Sequence, residues 1–194
     1  MYPMQLYGES IVTLLNSIVN FINNRDIYII SSGVPLDGVE FDVPVLVRLN
    51  SSRRWGDCDI WFNNQSQDPK FQRDSRGSGE ERFIIRANGD NEGANMRRNY
   101  PEEFLPHTYF WSVHAWKEMT QTMNIARPLT GTIAAYWFHQ HTESNIFLIN
   151  YDFYENNKVH TVRGIPQPAP VHKPWLDKEY LQSLDRIEFK WVIK

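Results

Sequence analysis

A single cysteine, Cys58, stands among 194 residues, so no disulfide can form within the chain. That usage fits a reducing compartment, and the expected location is cytoplasmic. Long apolar runs are also missing. Nothing approaches the ~18 uninterrupted apolar residues of a membrane span, and residues 1–24 carry no basic leader of the kind that opens a secretory signal. Without export, the glycan-acceptor patterns Asn50-Ser51-Ser52 and Asn64-Gln65-Ser66 are expected to be chance matches. An excess of one charge is equally absent. Twenty basic residues against 23 acidic ones leave a net charge of −3, so no global positive field recommends nucleic acid as the partner. The local arginines Arg53, Arg54, Arg97 and Arg98 keep a small basic patch open.

Several catalytic signatures are absent too. The sequence has no Gly-x-Ser-x-Gly elbow and no phosphate-binding loop with its lysine. His139-Gln140-His141 falls in a predicted helix, where residues two apart point to different faces and chelate one ion poorly. Asp57-Cys58-Asp59 has the Asp-x-Asp form that holds a divalent ion in many metal-dependent glycosyltransferases, but it precedes a predicted strand instead of following one.

What the chain does contain is 41% apolar and 14% aromatic residues, enough for one domain with a substantial core. Residues 9–24 place Ile11, Val12, Leu14, Leu15, Ile18, Val19, Phe21 and Ile22 at spacings of three and four, the pattern of an amphipathic helix. Short apolar runs follow at 27–30, 45–49, 59–62, 83–85, 108–111, 146–149 and 187–193, and each reads as a strand. Helices are predicted over 114–124, 130–140 and 175–184, with long polar loops over 64–81 and 87–100. Strands alternating with helices predict an α/β fold, a single-domain Rossmann-like and mostly parallel sheet with flanking helices. In such sheets ligands bind beyond the carboxyl ends of the strands, where the strand order reverses. The early strands end in Ser31-Ser32-Gly33, at Asn50 and at Asn63, while the run Ile146–Ile149 breaks into Asn150-Tyr151-Asp152-Phe153-Tyr154, so these residues are the predicted rim of a crevice.

At that rim the sequence resembles a known group. Arg127-Pro128-Leu129-Thr130-Gly131, followed 22 positions after Thr130 by Asp152-Phe153-Tyr154, resembles the hydroxyl-glycine turn and Asp-Phe-Tyr strand end of bacterial lipooligosaccharide sialyltransferases, glycosyltransferase family 42. The stretch from His172 to Leu181 is similar to that family's catalytic-histidine segment, with an acidic residue five positions on at Asp177 and a leucine nine positions on at Leu181. Ile29–Leu36, Leu49-Asn50 and Trp61-Phe62-Asn63 resemble its first three strand ends, so the likeness runs in order through most of residues 27–190. The first loop lacks the family's Gly-Asn-Gly arrangement, and His160 stands where the family has a second phosphate-contacting tyrosine.

The resemblance implies a metal-independent, inverting sugar transfer from a nucleotide donor, CMP-sialic acid in the family, to an acceptor hydroxyl, with no separate cofactor. It implies His172 as general base, a task suited to an imidazole whose ordinary pKa of ~6.5 leaves it largely neutral near pH 7. Tyr154 and His160 are the candidate donors to the departing phosphate, and Arg127 the candidate partner of a carboxylate or phosphate. The donor-binding candidates are Ser32 and Gly33 through backbone N–H groups, Asn50 and Asn63 through their amides, and Thr130, Gly131 and Asp152. Each has an architectural alternative: a strand-ending asparagine, a turn glycine, a threonine that caps the first helical turn, a solvated charge, a loop histidine. Two other functions stay open, a catalytically degenerate nucleotide- or partner-binding protein of the same fold and a transferase acting on a modified nucleic-acid base.

Overall fold

A computed structural model of the chain describes residues 5–31, 39–50, 56–64, 82–87, 102–153 and 172–192. The strands are β1 (Ile27–Ile30), β2 (Val45–Leu49), β3 (Ile60–Asn63), β4 (Phe83–Arg86), β5 (Thr108–Phe110), β6 (Ile146–Ile149) and β7 (Ile187–Lys190). The helices are α1 (Gln5–Ile22), α2 (Val113–Met123), α3 (Thr130–His141) and α4 (Pro174–Ser183), with a 3-10 helix at Glu102–His107 before β5. The 3-10 turn, which contains Pro106, has no apolar periodicity and so no signature in the sequence. The other elements lie within a few residues of their predicted bounds.

The seven strands form one parallel sheet in the order β5-β4-β3-β2-β1-β6-β7. The runs IYII, IWFN, FIIR and IFLI are buried nearly throughout because they sit in the middle of a sheet covered on both sides. The edge strands differ. β5 has three residues, and β7 carries Glu188 and Lys190, features that discourage pairing with a further chain.

From β1 the chain steps outward through β2 to β5, then returns along α3 to β6 on the other side of β1. The strand order therefore reverses between β1 and β6, which pair from Ile27↔Ile146 to Ile30↔Ile149. Right-handed crossovers running in opposite directions lie on opposite faces of a sheet. Accordingly Ile18 and Phe21 of α1, Met119 and Met123 of α2, Ile133 and Phe138 of α3 and Leu181 of α4 join one core with Ile29, Val47, Phe62, Ile85 and Leu148. The alternate strand residues Ile30, Phe147 and Ile149 pack with Val39 and Phe41 on the other face, and Trp61 and Ile84 pack with Cys58 and Phe104. No helix among the described residues is long and apolar enough to cross a membrane.

That second face buries two arginines, Arg48 at 2% exposure and Arg86 at 1%. Arg48 Nε donates to the Asp57 carbonyl at 2.9 Å, beside a cavity of 630 Å³ lined by Val39, Phe41, Leu46, Arg48 and Cys58 among others. Gly56 closes over the guanidinium with φ of +149°, and a Cβ there would lie 2.9 Å from Nη2. Gly56→Ala is therefore expected to cost about 1–3 kcal/mol, through an unfavourable φ and a displaced Arg48. Urea unfolding measures it, and an unchanged midpoint would show that the guanidinium moves aside freely.

Candidate functional site

Because the strands are parallel, their carboxyl ends share one edge, and two asparagines shape it. Asn50 follows β2 with φ of 44°, and Asn150 follows β6 with φ of 57°. Asparagine is among the few residues that enter this left-handed region readily, and its amide oxygen can replace a backbone carbonyl. Asn50 Oδ1 accepts from the Asn64 N–H at 2.8 Å, just past β3, and Asn150 Oδ1 accepts from the Val192 N–H at 2.8 Å, just past β7. Each side chain thus continues the strand pairing one step beyond the sheet. The turn at Asn50 also aims its Nδ2 at Thr130 Oγ1, 2.9 Å away, while Trp61 Nε1 donates to its carbonyl at 2.9 Å.

Thr130 opens α3 as its first helical residue. The residue in capping position is Leu129, which has no side chain to offer, so the expectation that Thr130 caps the first turn is corrected. The cap comes from another element instead. Asp177 Oδ1, in the first turn of α4, accepts from the Leu129 N–H at 2.7 Å, and a carboxylate is favoured there by the partial positive charge of the α3 N-terminus. Asp177 is fully buried, which pushes its carboxyl pKa up from the ordinary value. The neighbouring Thr132 hydroxyl, the Leu129 N–H and, when its ring is protonated, His172 pull it partly back. Thr132 Oγ1 and Asp177 Oδ2 are close enough for that effect yet make no hydrogen bond of good geometry.

His172 grips the same stretch of chain. Its Nδ1 lies 2.9 Å from the Arg127 carbonyl, a contact that requires Nδ1–H as donor and leaves Nε2 of the neutral ring with a lone pair. His172 and Asp177 therefore hold the two ends of Arg127-Pro128-Leu129, the turn that leads into α3. The Arg127 side chain is exposed, so the part of this residue in contact with His172 is its backbone.

Gly131, the second residue of α3, lies against the Tyr151 ring, and a Cβ at 131 would overlap the phenol. The Tyr151 hydroxyl is buried without a hydrogen-bond partner among the described residues, and burial raises its pKa well above the ordinary 10.0, so it stays protonated. Asp152 follows, half-buried and engaged in the protein, and Phe153 turns the chain again with φ of 49°.

The structure thus gathers Asn50, Thr130, Gly131, Asp152, His172 and the Arg127 carbonyl on the carboxyl side of the sheet, around the reversal between β1 and β6. Asn63 is set apart: it is 1% exposed and shares the face of Trp61, opposite the helices and in register with Arg86. Ser32, Gly33, Tyr154 and His160 lie outside the described residues, as do Arg53, Arg54, Arg97 and Arg98. Asp59 Oδ2 accepts from the Leu46 N–H at 2.8 Å, away from this edge. His139 and His141 separate as the helix geometry requires: His139 Nε2 meets Asp185 at 2.7 Å, and His141 stacks on Trp137 with Nδ1 2.7 Å from that residue's carbonyl.

Asp177 and Tyr151 fall in the stretches that the sequence singles out, the histidine segment and the rim after β6, but neither has a site role assigned there. Asp177 has a sequence signal in its five-residue spacing from His172, but its bond to Leu129 spans 48 residues. Tyr151 sits inside the polar break after β6, and only its packing on Gly131 sets it apart. No family model matches the chain, no curated protein matches it, and no solved structure matches it.

Asp177→Ala removes the acceptor of the Leu129 N–H and is expected to cost about 1–3 kcal/mol. Asp177→Asn keeps an acceptor and removes the charge. The wild-type carboxyl has its folded pKa raised above the unfolded 3.8, so its protonated form is the better tolerated one; its contribution is complete below pH 3.8 and is lost as pH rises through the raised folded value. Denaturant midpoints across that window should therefore fall with rising pH more steeply in wild type than in Asp177→Asn; parallel profiles would refute the assigned burial effect.

Proposed function

We propose that this chain is a glycosyltransferase resembling the family 42 sialyltransferases, which binds a nucleotide sugar, CMP-activated by preference, in the crevice at the strand reversal and transfers the sugar with inversion. The observation that carries the reading is the His172 imidazole, fixed through Nδ1 at this edge with Nε2 left as proton acceptor. In the proposed reaction Nε2 takes the proton of the acceptor hydroxyl as its oxygen bonds to the anomeric carbon. The bond from that carbon to the phosphate oxygen breaks, and the phosphate leaves with the electron pair. Tyr154 and His160 are the proposed donors to the leaving phosphate, with Ser32 and Gly33 offering backbone N–H groups. The scheme needs no metal and no separate cofactor. The single cysteine supports a cytoplasmic setting.

A second reading, a nucleotide- or partner-binding protein of the same fold without turnover, draws on one observation. The Asn50 amide oxygen and the Thr130 hydroxyl are both engaged inside the protein, which reduces what they offer a nucleotide.

Two measurements separate the readings. Thermal stabilisation by CMP, but not by CDP, UDP, GDP or ADP, is expected for a CMP-sugar site, since a ligand selective for the folded state raises apparent stability. His172→Ala should then lower turnover roughly 10²–10⁴-fold while leaving the CMP response intact. Full turnover in the folded variant removes the base assignment, and a CMP response without transfer to any of a broad acceptor panel favours the binding protein.

A further inference from the structure

β7 ends the sheet, and among the described residues no strand lies beyond it. Its inner side is tied to β6. The Ile146 N–H donates to the Arg186 carbonyl at 2.7 Å, the Asn150 N–H to the Lys190 carbonyl at 2.9 Å, and the Val192 N–H to Asn150 Oδ1 at 2.8 Å. The backbone groups of successive residues in a strand point to opposite sides. The even-numbered positions of 186–192 therefore face β6, and Ile187, Phe189 and Trp191 turn their N–H and C=O groups outward.

The side chains alternate as well. Ile187 and Phe189 pack with the helices, while Lys190 Nζ lies 3.4 Å from the centroid of the Phe147 ring on the opposite face, where Val192 joins the same cluster. By alternation Glu188 shares the face of Lys190, and Trp191 continues that of Phe189. Ile187 and Phe189 are only half-buried and Trp191 is 57% exposed, so an apolar row follows the outer edge. Glu188 is exposed and makes no hydrogen bond or ion pair with the described residues.

We propose that β7 is the docking edge for a second copy of this chain, paired antiparallel about Phe189 with a two-fold axis at that residue. In this register Phe189 faces the partner's Phe189, Glu188 faces the partner's Lys190, and Ile187 faces the partner's Trp191. The outward N–H and C=O groups of Ile187, Phe189 and Trp191 all find partners. Glu188 and Lys190 fall at the positions without mutual hydrogen bonds, where opposing Cα atoms approach to about 4.5 Å and side chains meet most closely. Each Trp191 indole covers the partner's Ile187. The charges select this register. A slip of two residues, the smallest that keeps outward groups opposite outward groups, sets Glu188 against Glu188 or Lys190 against Lys190. The charges that guard β7 against an arbitrary strand therefore match one another in a single register, and a copy of the same strand is the favoured occupant. The dimer does not depend on the transferase reading.

The test is sedimentation velocity on the full chain, from low micromolar concentration to about 0.5 mM. Wild type should pass from monomer to dimer across that range. Glu188→Lys sets like charges opposite one another and should weaken the dimer roughly tenfold or more, and Lys190→Glu should do the same. An equimolar mixture of the two variants restores unlike pairs throughout and should form a heterodimer at least as tight as the wild-type dimer. Lys190 also covers the Phe147 ring, so melting temperatures accompany the measurement. Should Lys190→Glu fail to fold, Glu188→Lys decides alone. A wild-type chain that stays monomeric throughout overturns the proposal, as does a dimer that Glu188→Lys leaves unchanged. A mixture of folded variants that stays monomeric refutes the assigned register and the proposal with it.

Discussion

The candidate site depends on a carboxylate that caps a helix to which it does not belong. α3 begins at Thr130, behind a capping residue, Leu129, whose side chain cannot satisfy the helix terminus, and Asp177 supplies the acceptor from α4. A fully buried carboxylate is costly to charge, and burial pushes its pKa up, so the arrangement depends on the amide and the start of a helix that meet it. Since α4 also follows His172, the same contact sets the distance between the imidazole and the turn that leads into α3. The His172–Arg127 hydrogen bond completes the clasp from the other end. Moving either helix would break both contacts together.

A second constraint comes from the strand ends. A parallel sheet leaves its terminal backbone groups unpaired at the edge where ligands bind, and burial of such groups is unfavourable. Asn50 and Asn150 answer this with the same device, a left-handed turn that carries an amide oxygen onto the N–H beyond the next strand. The polar break after Ile149 is thus architecture first. Its asparagine ties β6 to β7, its tyrosine packs on Gly131, and the half-buried Asp152 lies between them and the turn at Phe153. Whatever binds at this rim meets side chains already committed to holding the rim together.

Most of the fold was legible because it rests on local patterns. Runs such as IYII and IFLI show no period-two alternation, as expected where both faces are covered, and the three- and four-residue spacings in α1 mark its core stripe. α3 was legible for a different reason: a proline-led turn opens it, although burial on nearly every side leaves it little amphipathic signal. The 3-10 helix before β5 carries neither signal. Within the site, the sequence assigns candidate roles to His172, Thr130, Gly131, Asn50 and Asp152, whereas Asp177 and Tyr151 lie in the singled-out stretches without a role of their own. The difference is one of range, since spacing along the chain points to groups near one another in sequence and says little about contacts 48 residues apart.

The sequence by itself determined the alternation of strands and helices, the absence of an internal disulfide, and the amide and hydroxyl residues at the strand ends, because backbone propensity and apolar periodicity act within a few residues. Tertiary structure alone decided the strand order, the face on which each residue lies, and which polar groups are consumed by the fold. It turned Asn50 toward Thr130, left Asn63 buried beside Arg86, and gave α3 its cap from α4. These choices follow from satisfying buried polar groups across elements distant in the chain, a condition that no local pattern encodes.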